Sequence, residues 1–256
     1  MRGCKMRMEE PILDILSNCR IEGNIVYLTE EKLDRKTYLQ VNECLENIGG
    51  KWNRKTKGHI FEADPTEMMD NLINTGETVN LKKALQFYET PEWLVKQMIE
   101  WAEIKPTDKI LEPSAGLGAI ARYLPKEQSW LKEIDTEKVK KLVEMGYNVV
   151  CADFLLTDTR FDKIVMNPPF SLKGDRQADI THILHAWDLL LEGGILIAVV
   201  SIGAFFRSNK KAVDFRDWLK ANNAEIRDNP EDTFKASGTL VKTKTIRVRK
   251  EEANDE

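Results

Sequence analysis

Hydrophobic and polar positions along the chain change their rhythm about a third of the way in. Up to residue 76 the apolar stretches are short. Residues 24–28 predict a strand, and 34–48 a helix ended by Gly49-Gly50. Residues 51–61 predict a strand or hairpin, and 65–73 a helix closed by Gly76. An α+β unit of roughly 50 residues is small for independent stability, so it is expected to dock on the remainder.

From Phe87 onward helices and strands alternate. Thr90 predicts an N-cap, Pro91 the first helical position and Glu92 the first turn; Trp93, Leu94, Met98 and Trp101 then recur at helical spacing. Strands are predicted at 109–111, 130–134, 148–151, 164–166 and 195–200, with helices around 137–145 and 180–191. Such alternation predicts an α/β fold, a doubly wound and mostly parallel sheet covered on both faces. Residues 239–248 alternate β-branched residues with Lys and Arg, which suits a closing antiparallel strand. The expected division is 1–84 for the small module and 85–256 for the sheet domain.

Composition narrows the function classes. A chain of 256 residues with ordinary apolar and charged fractions supports a sizeable core, and a net charge of −4 argues against a generally basic nucleic-acid binder. Local basic clusters can still do that work. Cys4, Cys19, Cys44 and Cys151 lack metal-ligand spacing, so no zinc site and no disulfide framework are expected, and a reducing cytoplasm is the simplest location. No apolar run follows the basic start, so no signal peptide is expected. Residues 195–206 are too short and interrupted to span a bilayer and read as a buried strand.

Candidate chemistry begins at Asn167-Pro168-Pro169-Phe170, directly after the apolar run 163–166. Two prolines fix two φ angles and remove two donors, so the strand must stop. The rigid turn that results suits gripping a planar group that carries an NH2. Asn167 and the carbonyl of Pro168 can accept from the amine while Phe170 stacks on the ring.

A second cluster lies upstream. Glu112-Pro113-Ser114-Ala115-Gly116-Leu117-Gly118 reads as a strand entering a glycine-containing loop and then a helix, whose N-terminus offers free N–H groups. Glu133 follows Glu112 by 21 residues, at the end of the next strand, where a doubly wound fold places a carboxylate for ribose hydroxyls. Asp153 and Phe154, after the third strand, suit hydrogen bonding and covering of an adenine. With Glu112 pointing in, a pyrophosphate would be repelled. S-adenosylmethionine has ribose, adenine and a sulfonium but no phosphate, and fits.

On these residues the chain resembles the class I S-adenosylmethionine-dependent amino-methyltransferases, in particular the N6-adenine DNA methyltransferases. Residues 86–91, Gln-Phe-Tyr-Glu-Thr-Pro, match the family's first cofactor motif, and Glu112 to Gly118 its glycine loop. Ser114 stands where many methyltransferases have a first glycine, a departure typical of the adenine-methylating branch. The resemblance covers Phe87 to about Arg249 and implies a seven-stranded Rossmann-like sheet. It implies cofactor contacts from Tyr88, Thr90, Glu112, Pro113, Ser114, Gly116, Gly118, Glu133, Ile134, Asp153, Phe154 and Asn167. It implies catalysis by Asn167, Pro168, Pro169 and Phe170 on an adenine flipped out of duplex DNA. The ending 233–239 resembles the last hairpin of small phage-type members, and residues 49–53 with 59–61 an accessory module of such proteins. No metal is implied. His182 and His185, on a predicted helix, are expected to be structural.

A polynucleotide is expected to meet Lys51, Arg54, Lys55 and Lys57 with Trp52 and His59, a basic cluster carrying an aromatic. Lys173 and Arg176 lie on a polar loop just past the turn, and Lys242, Lys244, Arg247 and Arg249 add a basic strand. The chain has little room for a separate recognition domain, so either the N-terminal module and loops read a short site or a partner specificity subunit does. Two other readings stay open: methylation of an RNA base or a protein glutamine, and an inactive binding subunit of the same fold.

Overall fold

The computed structural model describes residues 8–28, 33–76, 89–172, 174–235 and 241–252. Helix α1 (Glu10–Ser17) opens it and buries Ile12, Leu13 and Leu16. Strands β1 (Arg20–Glu22) and β2 (Ile25–Tyr27), helix α2 (Arg35–Asn47), strands β3 (Lys51–Asn53) and β4 (Gly58–Ile60), and helix α3 (Thr66–Thr75) follow. The strands form one antiparallel sheet in the order β1-β2-β4-β3. Val26, Leu45, Met69, Leu72 and Ile73 fill the core between this sheet and the helices. Asp34 caps α2 by accepting from the backbone N–H groups of Lys36 and Thr37, and Gly76 ends α3 at φ 68°, where a side chain would be strained.

The larger part begins with α4 (Glu92–Ala102) and β5 (Ile110–Glu112). It continues through β6 (Ser129–Glu133), α5 (Thr136–Glu144), β7 (Val149–Cys151), β8 (Phe161–Met166), α6 (Ala178–Asp188) and β9 (Leu190–Ser201). Then come α7 (Gly203–Phe206), α8 (Lys210–Ala221), β10 (Glu225–Asp228) and β11 (Thr243–Arg249). Seven strands pair in the order β10-β11-β9-β8-β5-β6-β7. Every pairing from β7 to β9 is parallel; β11 runs antiparallel to both β9 and β10. This is the sheet of the class I methyltransferase fold. Its central strands are apolar because helices bury both faces.

Several expectations need adjustment. Residues 190–191 belong to β9 rather than to α6, because Leu190 already pairs with Phe161 of β8. The glycine loop does not enter an α-helix. Gly116 and Gly118 take φ 56° and 81°, and only a 3-10 turn, Ala121–Tyr123, fits before Pro125. Elements α1, β1, α8 and β10 had no sequence forecast, and residues 203–206, expected to belong to a buried strand, form helix α7 instead. The expected boundary at residue 84 lies outside the described residues, as do Tyr88 and Lys173.

The two sheets' surroundings are joined by polar contacts. Ser208 N–H donates to Asp14 Oδ1 at 2.7 Å, Arg207 Nη2 donates to Asn74 Oδ1 at 3.2 Å, and Phe206 packs against the N-terminal core. Among the described residues no helix is long and apolar enough to cross a membrane.

Candidate active site

The chain reverses its direction of travel across the sheet between β5 and β8, and ligands of open α/β sheets bind outside the carboxyl ends of the strands there. Leu111 of β5 pairs with Ile164 of β8. Ser114 and Asn167 each stand three residues beyond that pair, on strands about 4.8 Å apart. The glycine loop and the two-proline turn therefore leave the same point of the sheet.

Asn167 Nδ2 donates to the Thr90 hydroxyl at 3.0 Å. Thr90 is buried just ahead of α4, and no side chain caps that helix. The residue expected as an N-cap thus orients the turn amide instead. Pro168 is buried and Pro169 half-buried. Phe170 departs from expectation: it is buried in the core with Leu94, Val95 and Val165, edge-on to Phe234 at 6.4 Å between ring centres. Its ring fills the space between α4 and the sheet, so its face is not presented for stacking.

Glu112 lies at the end of β5, 2% exposed. Burial pushes its carboxyl well above the usual range, partly countered by the Ala121 backbone N–H, and the nearby Glu133 adds to the rise. Its Oε2 is buried without a hydrogen-bond partner among the described residues. Such an orphaned acceptor fits an ammonium or sulfonium ligand and opposes a phosphate. Pro113 is buried beside it. Ser114 has φ 147°, a backbone region that favours glycine, and this strain sits at the position where the resemblance places one.

Glu133 is engaged on both oxygens. Oε2 accepts from Gly116 N–H at 2.7 Å, and Oε1 from the N–H groups of Ile134 and Asp135 at 2.9 and 3.0 Å. It ties the glycine loop to β6 while Oε2, with one bond made, retains a lone pair for a ribose hydroxyl. Gly118 is needed for packing: a Cβ there would stand 3.0 Å from Leu142 Cδ2.

The third strand gives a mixed outcome. Asp153 is exposed, and its Oδ1 accepts from Leu155 N–H at 2.9 Å. Phe154 is not an adenine cover here, since it is buried against His182 and His185 at ring distances of 5.6 and 4.8 Å. Those histidines are packing partners, and His182 Nδ1–H donates to the Ala178 carbonyl at 2.8 Å. The exposed apolar side chains at this end are Ile134, 70% exposed, and Leu156, 82% exposed. They follow the adjacent strands β6 and β7 and offer a ring the apolar contact that Phe154 does not. Leu156 escaped the sequence reading because surface exposure has no local signature.

The basic clusters separate. Lys51, Trp52, Arg54, Lys55 and Lys57 are exposed together on the β3–β4 hairpin, whose turn is folded by Asn53 Oδ1 accepting from Lys55 and Thr56 N–H groups. His59 does not belong with them. It is fully buried, and its Nε2–H donates to Asn42 Oδ1 at 2.8 Å. The tail cations are spent on carboxylates: Lys242 on Glu231, Lys244 on Asp228, Arg247 on Glu103 and Glu225, Arg249 on Glu103. Arg176 is likewise engaged, Nε donating to Asp70 at 2.6 Å. In this arrangement each of these cations already faces a carboxylate, with which a phosphate would have to compete. Among the described residues no cluster of His, Cys, Asp or Glu could hold a metal ion.

No family model and no curated protein matches this sequence. Solved structures do match in fold. The type I restriction enzyme EcoKI M protein aligns at TM-score 0.57 with 17% identity, over 94% of this chain and 57% of that one. The type I restriction-modification methyltransferase subunit from Streptococcus thermophilus aligns at 0.54 with 22% identity, over 73% and 49%. A chain from a type I restriction-modification complex aligns at 0.52 with 19% identity, over 84% and 46%. At such identities the likeness establishes the class I S-adenosylmethionine-dependent methyltransferase fold. This chain spans about half the length of these three structures.

Proposed function

We propose that the chain transfers the methyl group of S-adenosylmethionine to the exocyclic N6 amine of an adenine flipped out of duplex DNA. The observation that carries this reading is the meeting of the Asn167 turn with the Glu112 loop at one switch point of the sheet, with Thr90 fixing the Asn167 amide.

When bound, the cofactor supplies an electrophilic methyl on a sulfonium. Glu112 offers its unsatisfied oxygen to the cationic methionine end, Glu133 the remaining lone pair of its Oε2 to the ribose, and Ile134 with Leu156 an apolar face to the adenine. With Asn167 Nδ2 donating to Thr90, its Oδ1 is assigned to accept from the target amine together with the Pro168 carbonyl. Accepting both amine hydrogens aims the nitrogen lone pair, and positioning of this kind supplies most of the acceleration. No general base is required. Phe170 can stack on the base only if its ring turns out of the core, so holding the base is assigned first to Asn167 and Pro168.

The exposed β3–β4 hairpin, with four cations around Trp52, is assigned to phosphate and base contact. The type I M proteins and subunits that share the fold support the DNA substrate, and site choice rests on this hairpin or on a partner specificity chain. Purified protein incubated with radiolabelled S-adenosylmethionine and separate DNA, RNA and protein fractions tests the reading. Label recovered as N6-methyladenine in DNA is expected. Label confined to RNA or protein, or none with any fraction, overturns it.

A further inference from the structure

The segment after the Asn-Pro-Pro-Phe turn is gripped by a residue far back in the chain. Ser171 Oγ donates to Asp70 Oδ2, and Arg176 Nε donates to Asp70 Oδ1 at 2.6 Å. Both ends of the segment thus converge on one carboxylate of α3.

Helix α3 is built for two tasks. Met69, Leu72 and Ile73 point into the N-terminal core. Asp70 and Asn74, four residues apart and therefore on one face, are also buried, at 3% and 5% exposure. Asn74 receives Arg207 Nη2, while Arg207 Nη1 donates to the Arg176 carbonyl at 2.9 Å. Arg176 is consequently held by its side chain from Asp70 and by its backbone through Arg207. A buried ion pair is a poor way to gain stability, since apolar residues of similar volume usually do as well. What it does well is fix one geometry.

That geometry lies next to the reacting group. Ser171 follows Phe170, and only the two prolines Pro168 and Pro169 separate Phe170 from Asn167. A displacement at Ser171 is passed along a stiff chain to the Pro168 carbonyl. Asp175, inside the segment, is anchored separately, by Lys211 Nζ at 2.7 and 2.8 Å and by Gln177 N–H at 3.0 Å. Leu172 is tied to Asp175 by two backbone hydrogen bonds of 2.9 Å, and Ser171, the residue that adjoins the turn, is held by its hydroxyl on Asp70.

We propose that Asp70 is a positioning residue for methyl transfer: through Ser171 and Arg176 it sets the acceptor turn, so the N-terminal module completes the active site. This rests on the methyl-transfer reading above.

The test uses the full chain with Asp70→Asn, which keeps the shape and removes the charge, and with Ser171→Ala, which removes one hydroxyl and spares the ion pair. Each is expected to lower kcat on duplex DNA by tenfold or more and to leave S-adenosylmethionine affinity by calorimetry within twofold. Arg176→Gln added to Asp70→Asn should cost little beyond the single change, because the two residues act as one unit. Turnover of folded Ser171→Ala and Asp70→Asn within twofold of the parent overturns the proposal. Should the parent methylate no DNA, the function fails separately, and deuterium exchange of a peptide spanning residues 166–177 decides the positioning claim. Exchange at least fivefold faster in Asp70→Asn supports it, and an unchanged rate overturns it.

Discussion

Thr90 and Asn167, 77 residues apart, meet through a 3.0 Å hydrogen bond from the Asn167 side-chain nitrogen to the Thr90 hydroxyl. An amide has one donor end and one acceptor end, so occupying the donor end decides where the acceptor aims. The bond thereby makes a residue ahead of α4 part of the proposed acceptor site.

Thr90→Val tests that relation. The change keeps the branched shape and deletes the hydroxyl, so the loss of fold stability should be about 1 kcal/mol. Released from Thr90, the amide can turn over and present its nitrogen to the target amine. Turnover should fall roughly tenfold to a hundredfold, with cofactor affinity within a fewfold by calorimetry. Asn167→Ala should nearly abolish turnover with the same sparing of affinity. Comparable losses of turnover and cofactor affinity would contradict the role given to the turn.

A second prediction concerns protons. Burial holds the Glu112 carboxyl well above its ordinary value of 4.5. A cation placed against Oε2 favours the carboxylate and lowers that value, so cofactor binding should release a proton from Glu112. Calorimetry at about pH 6 in buffers of different ionisation enthalpy reads this release directly. Glu112→Gln should abolish it and weaken binding. An unchanged proton count in Glu112→Gln would remove Glu112 from the cofactor site.

Sequence and structure agree where pattern is local. The parallel strands appear near their expected places because their apolar runs are buried on both faces. The order of carboxylates and the two-proline turn also lie in the chain for any reader. What the sequence does not display is the direction in which a side chain leaves its element. Phe154 and Phe170 look like ring covers in the linear text, yet the space beside α6 and α4 takes both into the core. The basic tail looks like a phosphate contact until Glu103, Glu225, Asp228 and Glu231 are folded onto it. Asp70 was invisible for the same reason: its meaning depends on Ser171 and Arg176, which only the tertiary fold brings to it.

The buried histidines give stability a pH signature. Burial lowers both His59 and His182 below their ordinary 6.5. The folded state therefore binds fewer protons there than the unfolded chain, and their contribution is complete above about pH 6.5 and lost as pH falls below it. Glu112 and Asp179, raised by burial, act oppositely, because the folded state keeps their protons as pH rises. Comparison with a variant isolates the histidine part. His59→Gln, which retains a donor toward Asn42, should lose less stability than the parent between about pH 6.5 and 5 in urea unfolding. Parallel curves for the two proteins would show that His59 does not titrate as assigned.

The last prediction separates the hairpin from the tail. Lys51, Arg54, Lys55 and Lys57 are exposed, and among the described residues none of them is ion-paired, whereas Lys242, Lys244, Arg247 and Arg249 all have carboxylate partners. A cation that neutralises a phosphate releases a counterion, so each such contact contributes about 0.9 to the slope of log affinity against log salt. Changing Arg54, Lys55 and Lys57 together to Gln should weaken binding to duplex DNA at low salt and reduce that slope by up to about 3. Lys244→Gln should leave the slope unchanged, since Asp228 already neutralises that charge. Trp52→Ala should weaken binding with little change of slope, because stacking releases no counterion. Cofactor affinity serves as the control for fold in each variant. If the slope falls with Lys244 and not with the hairpin cations, the DNA lies along the tail, and the hairpin loses its assignment.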